Sequence, residues 1–401
     1  MENKRLFGLD VVRAIAVLMV VFYHSTSLLT PLTQLPYRIG WLFGKIIAIT
    51  NMLGLLGVEL FFVLSGFLIG GILIREFMAA SSFSLSFVKD FWIKRWSRTL
   101  PNYYLILGLN TLLLFFYQGV VTVDGRYLFF LQNFAQPHPT FFPEAWSLSI
   151  EEWFYLTLPL ILLLASIFLK SRPKQAALLF TLIIYLFVFM TMRILTAIYP
   201  TYADLGQDSS IRKVVIYRLD AIAFGVIIAY LHNFHGAFLN QQKIRKSLFI
   251  IGFCLTILIL FLNFLSLHPS FNYYGKSPII RFLSDSFLYS LLPLSLSLML
   301  PAAVTMTRFS ANTFKINSIV THISLISYSM YLIHYSLIFL PFFEKRQPNN
   351  WLTALFFYGL YWAITISIAT LIYYYYEKPT TQFLRKKRVS SSSKIKEEYV
   401  G

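Results

Sequence analysis

Charged side chains are scarce in this chain. Asp, Glu, Lys and Arg make up 13% of its 401 residues, about half the roughly 25% of a soluble globular protein. No stretch of domain length is polar enough to fold as a soluble catalytic unit. Cysteine is nearly absent: the single Cys254 lies in an apolar run, which excludes an intramolecular disulfide framework and a cysteine-bound metal. His232 and His235 have no companion at ligand spacing, so no metal site is expected. No G-x-S-x-G elbow marks a hydrolase either, because Ser65 in Leu64-Ser65-Gly66 lacks the first glycine. Acidic residues are the rarer sign, 17 against 34 Lys and Arg, for a formal charge of +17. Such an excess fits nucleic acid, an anionic ligand or membrane topology, and the placement of the basic residues decides among them.

What the chain has is apolar and aromatic surface. Hydrophobic residues are 57% and aromatic residues 18%, so the composition is that of a polytopic membrane protein. Taking apolar runs of about 20 residues as spans, the sequence predicts an all-α transmembrane helical bundle of about ten helices. They fall at Leu6 to Leu29, Leu53 to Ile74, Pro101 to Val120, Trp146 to Leu169, Ala176 to Tyr199, Val214 to Leu231, Ser247 to Leu265, Ser284 to Val304, Thr321 to Phe343 and Trp351 to Tyr376. Tyr37 to Asn51 is too short and mixed to span, and is expected along the membrane interface. Lys4 and Arg5 before an apolar core imitate a signal peptide. Arg13 interrupts that core and no small-residue cleavage site follows, so the segment reads as an uncleaved first span.

Basic residues give the expected orientation. Loops on the side of the N-terminus carry 22 Lys and Arg, those on the other side carry 9, and Arg13, Arg193 and Arg218 lie inside spans. The asymmetry predicts cytoplasmic N- and C-termini, and it accounts for most of the excess charge without nucleic acid as a partner. Residues 1–380 are expected to form one membrane domain. Residues 381–401, with an Arg-Lys-Lys-Arg run and then serines, are expected as a basic, disordered cytoplasmic tail drawn to anionic lipid.

Ionisable groups inside spans are expensive and mark a polar cavity or a ligand path. Here they are Asp10, Arg13, His24, Glu59, Glu151, Glu152, Arg193, Arg218, Asp220, Asp285, His322 and His334. Asp10, Asp285 and His322 fall at span ends, where the headgroup region tolerates charge. Arg13 and His24 are separated by about three turns, so they share a helix face roughly 16 Å apart along the axis. They cannot touch but can line one channel. Arg95 and Arg98, one turn apart before the third span, can present two guanidinium groups to one anion, although positive-inside topology alone also puts basic residues there. Glu151 and Glu152 point about 100° apart, so only one is expected to share a cavity with His24, the other stabilising the helix N-terminus. Glu59, at comparable depth, is a candidate for orienting the imidazole. Arg218 and Asp220 either line a cavity or pair with each other structurally.

Seven blocks in order carry a resemblance. Arg13 to His24 (RAIAVLMVVFYH), Gly57 to Ile69 (GVELFFVLSGFLI), Lys94 to Tyr104 (KRWSRTLPNYY), Trp146 to Leu156 (WSLSIEEWFYL), Tyr217 to Gly225 (YRLDAIAFG), Ser327 to His334 (SYSMYLIH) and Tyr375 to Pro379 (YYEKP) run the length of the chain. Together they resemble the acyltransferase-3 family of integral membrane acyltransferases. Glu59 stands where many relatives carry Asp, and Trp153 where they often carry Gln. The resemblance implies transfer of an acyl group, usually acetyl from acetyl-CoA, to a hydroxyl or amine of a saccharide, lipopolysaccharide or other glycolipid at the bacterial inner membrane. It implies His24 as the essential histidine, Arg13 as its partner, and Arg95 with Arg98 as the paired arginines that hold the donor. Glu59, Glu151 and Glu152 are the candidates for orienting His24 or the acceptor, and Trp146, Arg218, Asp220, Tyr331 and His334 for lining the substrate cavity. No permanently bound cofactor is expected, acyl-CoA being a substrate.

Two chemical routes stay open in the sequence. His24 either takes the proton of the attacking hydroxyl directly or carries the acyl group transiently. A transporter or flippase for a polar or anionic solute is the alternative, since it too needs buried charge. Against it, no Gly- or Pro-interrupted helices occur in corresponding halves.

Overall fold

A computed structural model describes residues 6–79, 83–119, 124–200, 205–267, 272–309 and 314–386. Among these residues there are helices and no strands. They are α1 (Phe7–Ser25), α2 (Tyr37–Ala79), α3 (Leu85–Gln118), α4 (Ala145–Phe168), α5 (Lys174–Ile198), α6 (Leu219–Phe234), α7 (Gly236–Leu239), α8 (Gln242–Leu267), α9 (Tyr273–Lys276), α10 (Pro278–Ser297), α11 (Leu300–Val304), α12 (Phe314–Ile333) and α13 (Trp351–Ile372). A 3₁₀ segment, Thr26–Gln34, continues α1, and π-helical segments continue α12 (His334–Glu344) and α13 (Tyr373–Glu377).

Nine helical stretches among the described residues are long and apolar enough to cross a membrane. The tenth expected span is α6, which has only 16 residues and reaches about 24 Å at 1.5 Å per residue, short of a ~30 Å hydrocarbon core. Its N-terminal side, expected in the span, is a 3₁₀ turn at Val215–Tyr217. Exposed apolar side chains such as Phe116, Phe168, Phe187, Ile250 and Phe253 cover the outer faces of α3, α4, α5 and α8, as a hydrocarbon solvent demands.

Three boundaries differ from the sequence reading for physical reasons. Tyr37 to Asn51 is not a separate segment but the first part of the 43-residue α2. Arg38 and Lys45 lower its hydropathy, yet no proline interrupts it, and its glycines cost a helix only about 1 kcal/mol each. The third helix starts at Leu85, so Arg95 and Arg98 lie within it rather than ahead of it. At the C-terminal end the helical run continues to Lys386, so residues 381–386 are helical, and the rest of the expected tail lies outside the described residues.

The chain divides into two compact units. Unit one comprises Met1–Val20, Asn51–Phe83 and Gly125–Ser324; unit two comprises Val21–Thr50, Ser84–Asp124 and Leu325–Gly401. In unit one, α10 packs against α5, α6 and α8, and α4 against α5 and α6. Gly66 of α2 and Gly225 of α6 let two backbones meet: a Cβ on Gly66 would lie 1.9 Å from the Ile222 carbonyl oxygen, and one on Gly225 2.1 Å from that of Val63. Small residues serve this purpose in membrane helices, where contact rests on dispersion rather than on expelling water. In unit two, α13 packs on the 3₁₀ segment after α1 and on the π segment after α12. An Asn350–Thr353 capping box starts α13, satisfying helix-end donors.

Candidate functional site

In unit two, His24 stands in the last turn of α1, where the side chains of Ser25 and Thr26 bond back to the Phe22 carbonyl at 3.0 and 2.8 Å. Its imidazole is half-buried. His24 Nδ1 lies 3.0 Å from Nε2 of His334, which is fully buried. On its other edge, His334 Nδ1 meets the Tyr331 carbonyl oxygen at 2.7 Å. Tyr335 lies against the His24 ring with centroids 4.4 Å apart, and the Tyr361 hydroxyl donates to the His334 carbonyl at 3.2 Å. The backbone passes from α to π register at His334, a change that shifts carbonyls away from their usual donors and that recurs at functional sites.

A second polar cluster in unit two surrounds Glu377, in the π segment after α13. Its Oε2 accepts from Ser329 Oγ at 2.6 Å and from Asn102 Nδ2 at 3.1 Å, and the charge of Arg98 acts on it. Arg98 is exposed and Arg95 half-buried. One turn after Arg98, Asn102 also bonds Ser329 at 3.0 Å. The paired arginines therefore stand on a helix whose next turn is tied to α12 and to the end of α13.

In unit one, the buried charges pair crosswise. Arg218 donates through Nη2 to Glu59 and through Nη1 to the Tyr289 carbonyl at 2.7 Å, with its guanidinium carbon 4.6 Å from the Tyr289 ring centroid. Asp220 is held by Arg193 and by Ser290 Oγ at 2.6 Å. All four charged groups are buried. Arg218 and Asp220 thus do not pair with each other. Residues two apart at a helix start point in different directions, and each finds its opposite charge on another helix, α2 or α5. Glu59 accepts through Oε1 from Arg218.

Asp10 and Asp285, at span ends, are both buried within the protein. Asp10 accepts from Ser324 at 2.8 Å and lies 3.9 Å from Arg13. Asp285 accepts from Tyr274 at 2.9 Å and lies 3.8 Å from Arg281. Glu151 is half-buried and accepts from Tyr155 at 2.8 Å, and Tyr155 also bonds Ser65. Glu152 is buried. Trp146 is buried too, with Arg212 4.8 Å over its ring and Phe62 edge-on at 6.0 Å. Trp153 donates to the Phe130 carbonyl at 2.9 Å.

Asn102, Ser329, Glu377, Tyr155, Ser65 and Tyr335 escaped the sequence reading as site residues. Their signal was present, since Asn102, Tyr155, Ser65, Ser329 and Glu377 all fall inside the ordered blocks, but neutral side chains and a carboxylate near a span end draw no attention from hydropathy. Among the described residues, no group of three His, Cys, Asp or Glu side chains is placed to hold a metal ion.

The Acyltransferase domain family of the acyltransferase-3 type matches residues 6–374. The chain is 29% identical over 381 residues to the "Peptidoglycan O-acetyltransferase OatA" of Listeria monocytogenes, covering 87% of this chain and 52% of that protein. It is 30% identical over 245 residues to the "Putative peptidoglycan O-acetyltransferase YrhL" of Bacillus subtilis, covering 57% of this chain and 33% of that one. A "Putative O-acetyltransferase" of Staphylococcus aureus strain COL is 28% identical over 82% of this chain and 50% of its own length. The chain therefore spans about half, or less, of the length of these curated relatives. No solved structure matches it.

Proposed function

The chain belongs to the acyltransferase-3 family, and on that premise we propose that it is a membrane O-acetyltransferase. It moves an acyl group, acetyl in the simplest case, from acyl-CoA to a hydroxyl of a cell-envelope saccharide or glycolipid. The observation that carries the reading is His24, a half-buried imidazole held at Nδ1 by a second, buried histidine. An acceptor hydroxyl meeting this ring gives it a proton while the hydroxyl oxygen attacks the thioester carbonyl. The carbon–sulfur bond breaks, and the leaving thiolate takes the proton back.

Acyl-CoA is polyanionic, and Arg95 with Arg98 are assigned to its phosphates, guanidinium forks being suited to them. By the positive-inside rule these arginines and both termini lie on the cytoplasmic side of a multi-pass inner-membrane protein, where acyl-CoA is available. The names of the relatives favour a peptidoglycan-type glycan as acceptor. Glu151, anchored by Tyr155, is assigned to acceptor binding, whereas Glu59, Arg218, Asp220 and Trp146 serve the framework.

Membrane vesicles carrying the native chain or His24→Ala, given acetyl-CoA labelled in the acetyl group, test the proposal. Label in extracted envelope glycans is expected with the native chain only. Equal labelling by both excludes His24 chemistry, and solute uptake without labelling favours a transporter.

A further inference from the structure

Hydrogen-bond chemistry alone fixes where the protons of the two imidazoles sit. A peptide carbonyl oxygen only accepts, so His334 Nδ1, 2.7 Å from the Tyr331 carbonyl, carries a proton. His334 is fully buried and its two ring nitrogens meet neutral groups, a carbonyl and another imidazole, so the resting ring is neutral, because an unpaired buried charge is costly. A neutral ring protonated at Nδ1 has a bare Nε2. That Nε2 faces His24 Nδ1 at 3.0 Å, a hydrogen-bond distance that needs one proton between the two nitrogens, and His24 must supply it. Once Nδ1 of a neutral His24 carries the proton, Nε2 holds the lone pair.

Resting on the proposed acyl transfer, we infer that His334 is a positioning residue that fixes His24 in its Nδ1–H tautomer, so that Nε2 is the reacting atom. The half-buried His24 is the ring of the two that remains reachable, and the fully buried His334 orients it from behind. The π register that starts at His334 sets this up, since the ring turns back to the carbonyl three residues earlier. When Nε2 takes the acceptor's proton, the Nδ1–H bond to His334 becomes a charge-assisted one and shares the imidazolium charge. The proton leaves again from Nε2 to the thiolate as the carbon–oxygen bond replaces the carbon–sulfur bond, and the Nδ1 proton never departs. A histidine here does for His24 what a carboxylate does for the histidine of a serine hydrolase, without burying a second charge.

The test has two arms. The first records ¹⁵N chemical shifts of the full-length chain, histidine-labelled, in lipid bilayers, with His24→Ala and His334→Gln used for assignment. The expected result is Nδ1 protonated on both rings and a bare, acceptor-type Nε2 on each. A protonated Nε2 on resting neutral His24 overturns the inference whether or not any transfer is ever detected. The second arm compares acetyl ester content of envelope glycans for His334→Gln and His334→Leu at equal membrane abundance. The Gln carbonyl reaches the position of Nε2 and accepts from His24, so His334→Gln is expected to retain most of the transfer and His334→Leu to lose about a hundredfold or more. Equal losses in the two variants contradict the positioning role. Full loss in His24→Ala with no difference among the His334 variants would leave the acyl transfer standing and remove only this inference, whereas transfer by His24→Ala would remove the reading beneath it.

Discussion

Arg193 grips Asp220 through two parallel bonds, Nη1 to Oδ1 at 2.9 Å and Nη2 to Oδ2 at 2.8 Å. The remaining guanidinium donors reach the Ser286 and Tyr217 carbonyls at 3.1 and 2.7 Å and the Ser290 hydroxyl, so α5, α6 and α10 share one buried polar node. Removing one partner leaves an uncompensated buried charge, at about 3–5 kcal/mol. Asp220→Leu is therefore expected to lower the Tm of the detergent-purified protein sharply, and Arg193→Met with Asp220→Leu to recover much of the loss. Equal Tm values for the single and double variants would contradict the pairing.

The contact between α2 and α6 makes a second prediction. Gly66→Ala pushes a methyl group to 1.9 Å from the Ile222 carbonyl oxygen, and forced repacking of this kind costs about 1–3 kcal/mol. Gly44→Ala, on the same helix with nothing within 4 Å, gains helix propensity instead. Thermal unfolding is expected to order them Gly44→Ala at or above native and Gly66→Ala well below; the reverse order would refute the close approach.

Outside the spans, His138 is pushed by burial from 6.5 down to about 3, with the Lys213 charge acting in the same direction. The unfolded chain takes up this proton near 6.5 while the folded loop refuses it until about 3, so stability falls as pH drops through that window. Burial raises the carboxyl of Asp208, but Arg212 and Lys213 outweigh it and hold it at about 2. Its contribution is present above its ordinary 3.8 and is lost only as pH falls towards 2. Between pH about 7 and about 5, His138→Gln should make the fall in Tm shallower, the buried neutral imidazole of His334 supplying the remainder. An unchanged slope in the variant would count against the buried neutral imidazole of His138.

If Arg95 and Arg98 hold the donor, Arg98→Ala should raise the KM for acetyl-CoA about tenfold, the worth of one charge-assisted bond, with a smaller effect on kcat. Arg98→Lys keeps the charge but not the fork and should fall between. Added salt should shrink the difference between native and Arg98→Ala, since exposed charges are screened. A KM that does not move in either variant would transfer the donor site elsewhere.

The helices were legible because about 20 apolar residues in a row have few alternatives to spanning a membrane, and α4, α5 and α13 begin within two residues of where hydropathy starts them. The first part of α2 was not, because Arg38, Gly40, Gly44 and Lys45 dilute its hydropathy while leaving the helix unbroken. His24, Arg13, Arg95 and Arg98 stood out as charge or imidazole in an apolar setting. Their partners did not: Glu59 finds Arg218 across 159 residues and His24 finds His334 across 310, distances over which no periodicity operates. The π register at His334 is equally silent, since the apolar spacing of SYSMYLIH fits an α-helix as well.

Acyl transfer to the cell envelope by His24, as proposed, leaves a direct mark on the glycans. Envelope glycans from cells expressing the native chain and His24→Ala at equal abundance should be compared by mass. Acetyl-sized mass increments, removable by mild base, are expected with the native chain and are expected to be lost in the variant. The same increments in both would contradict this role of His24.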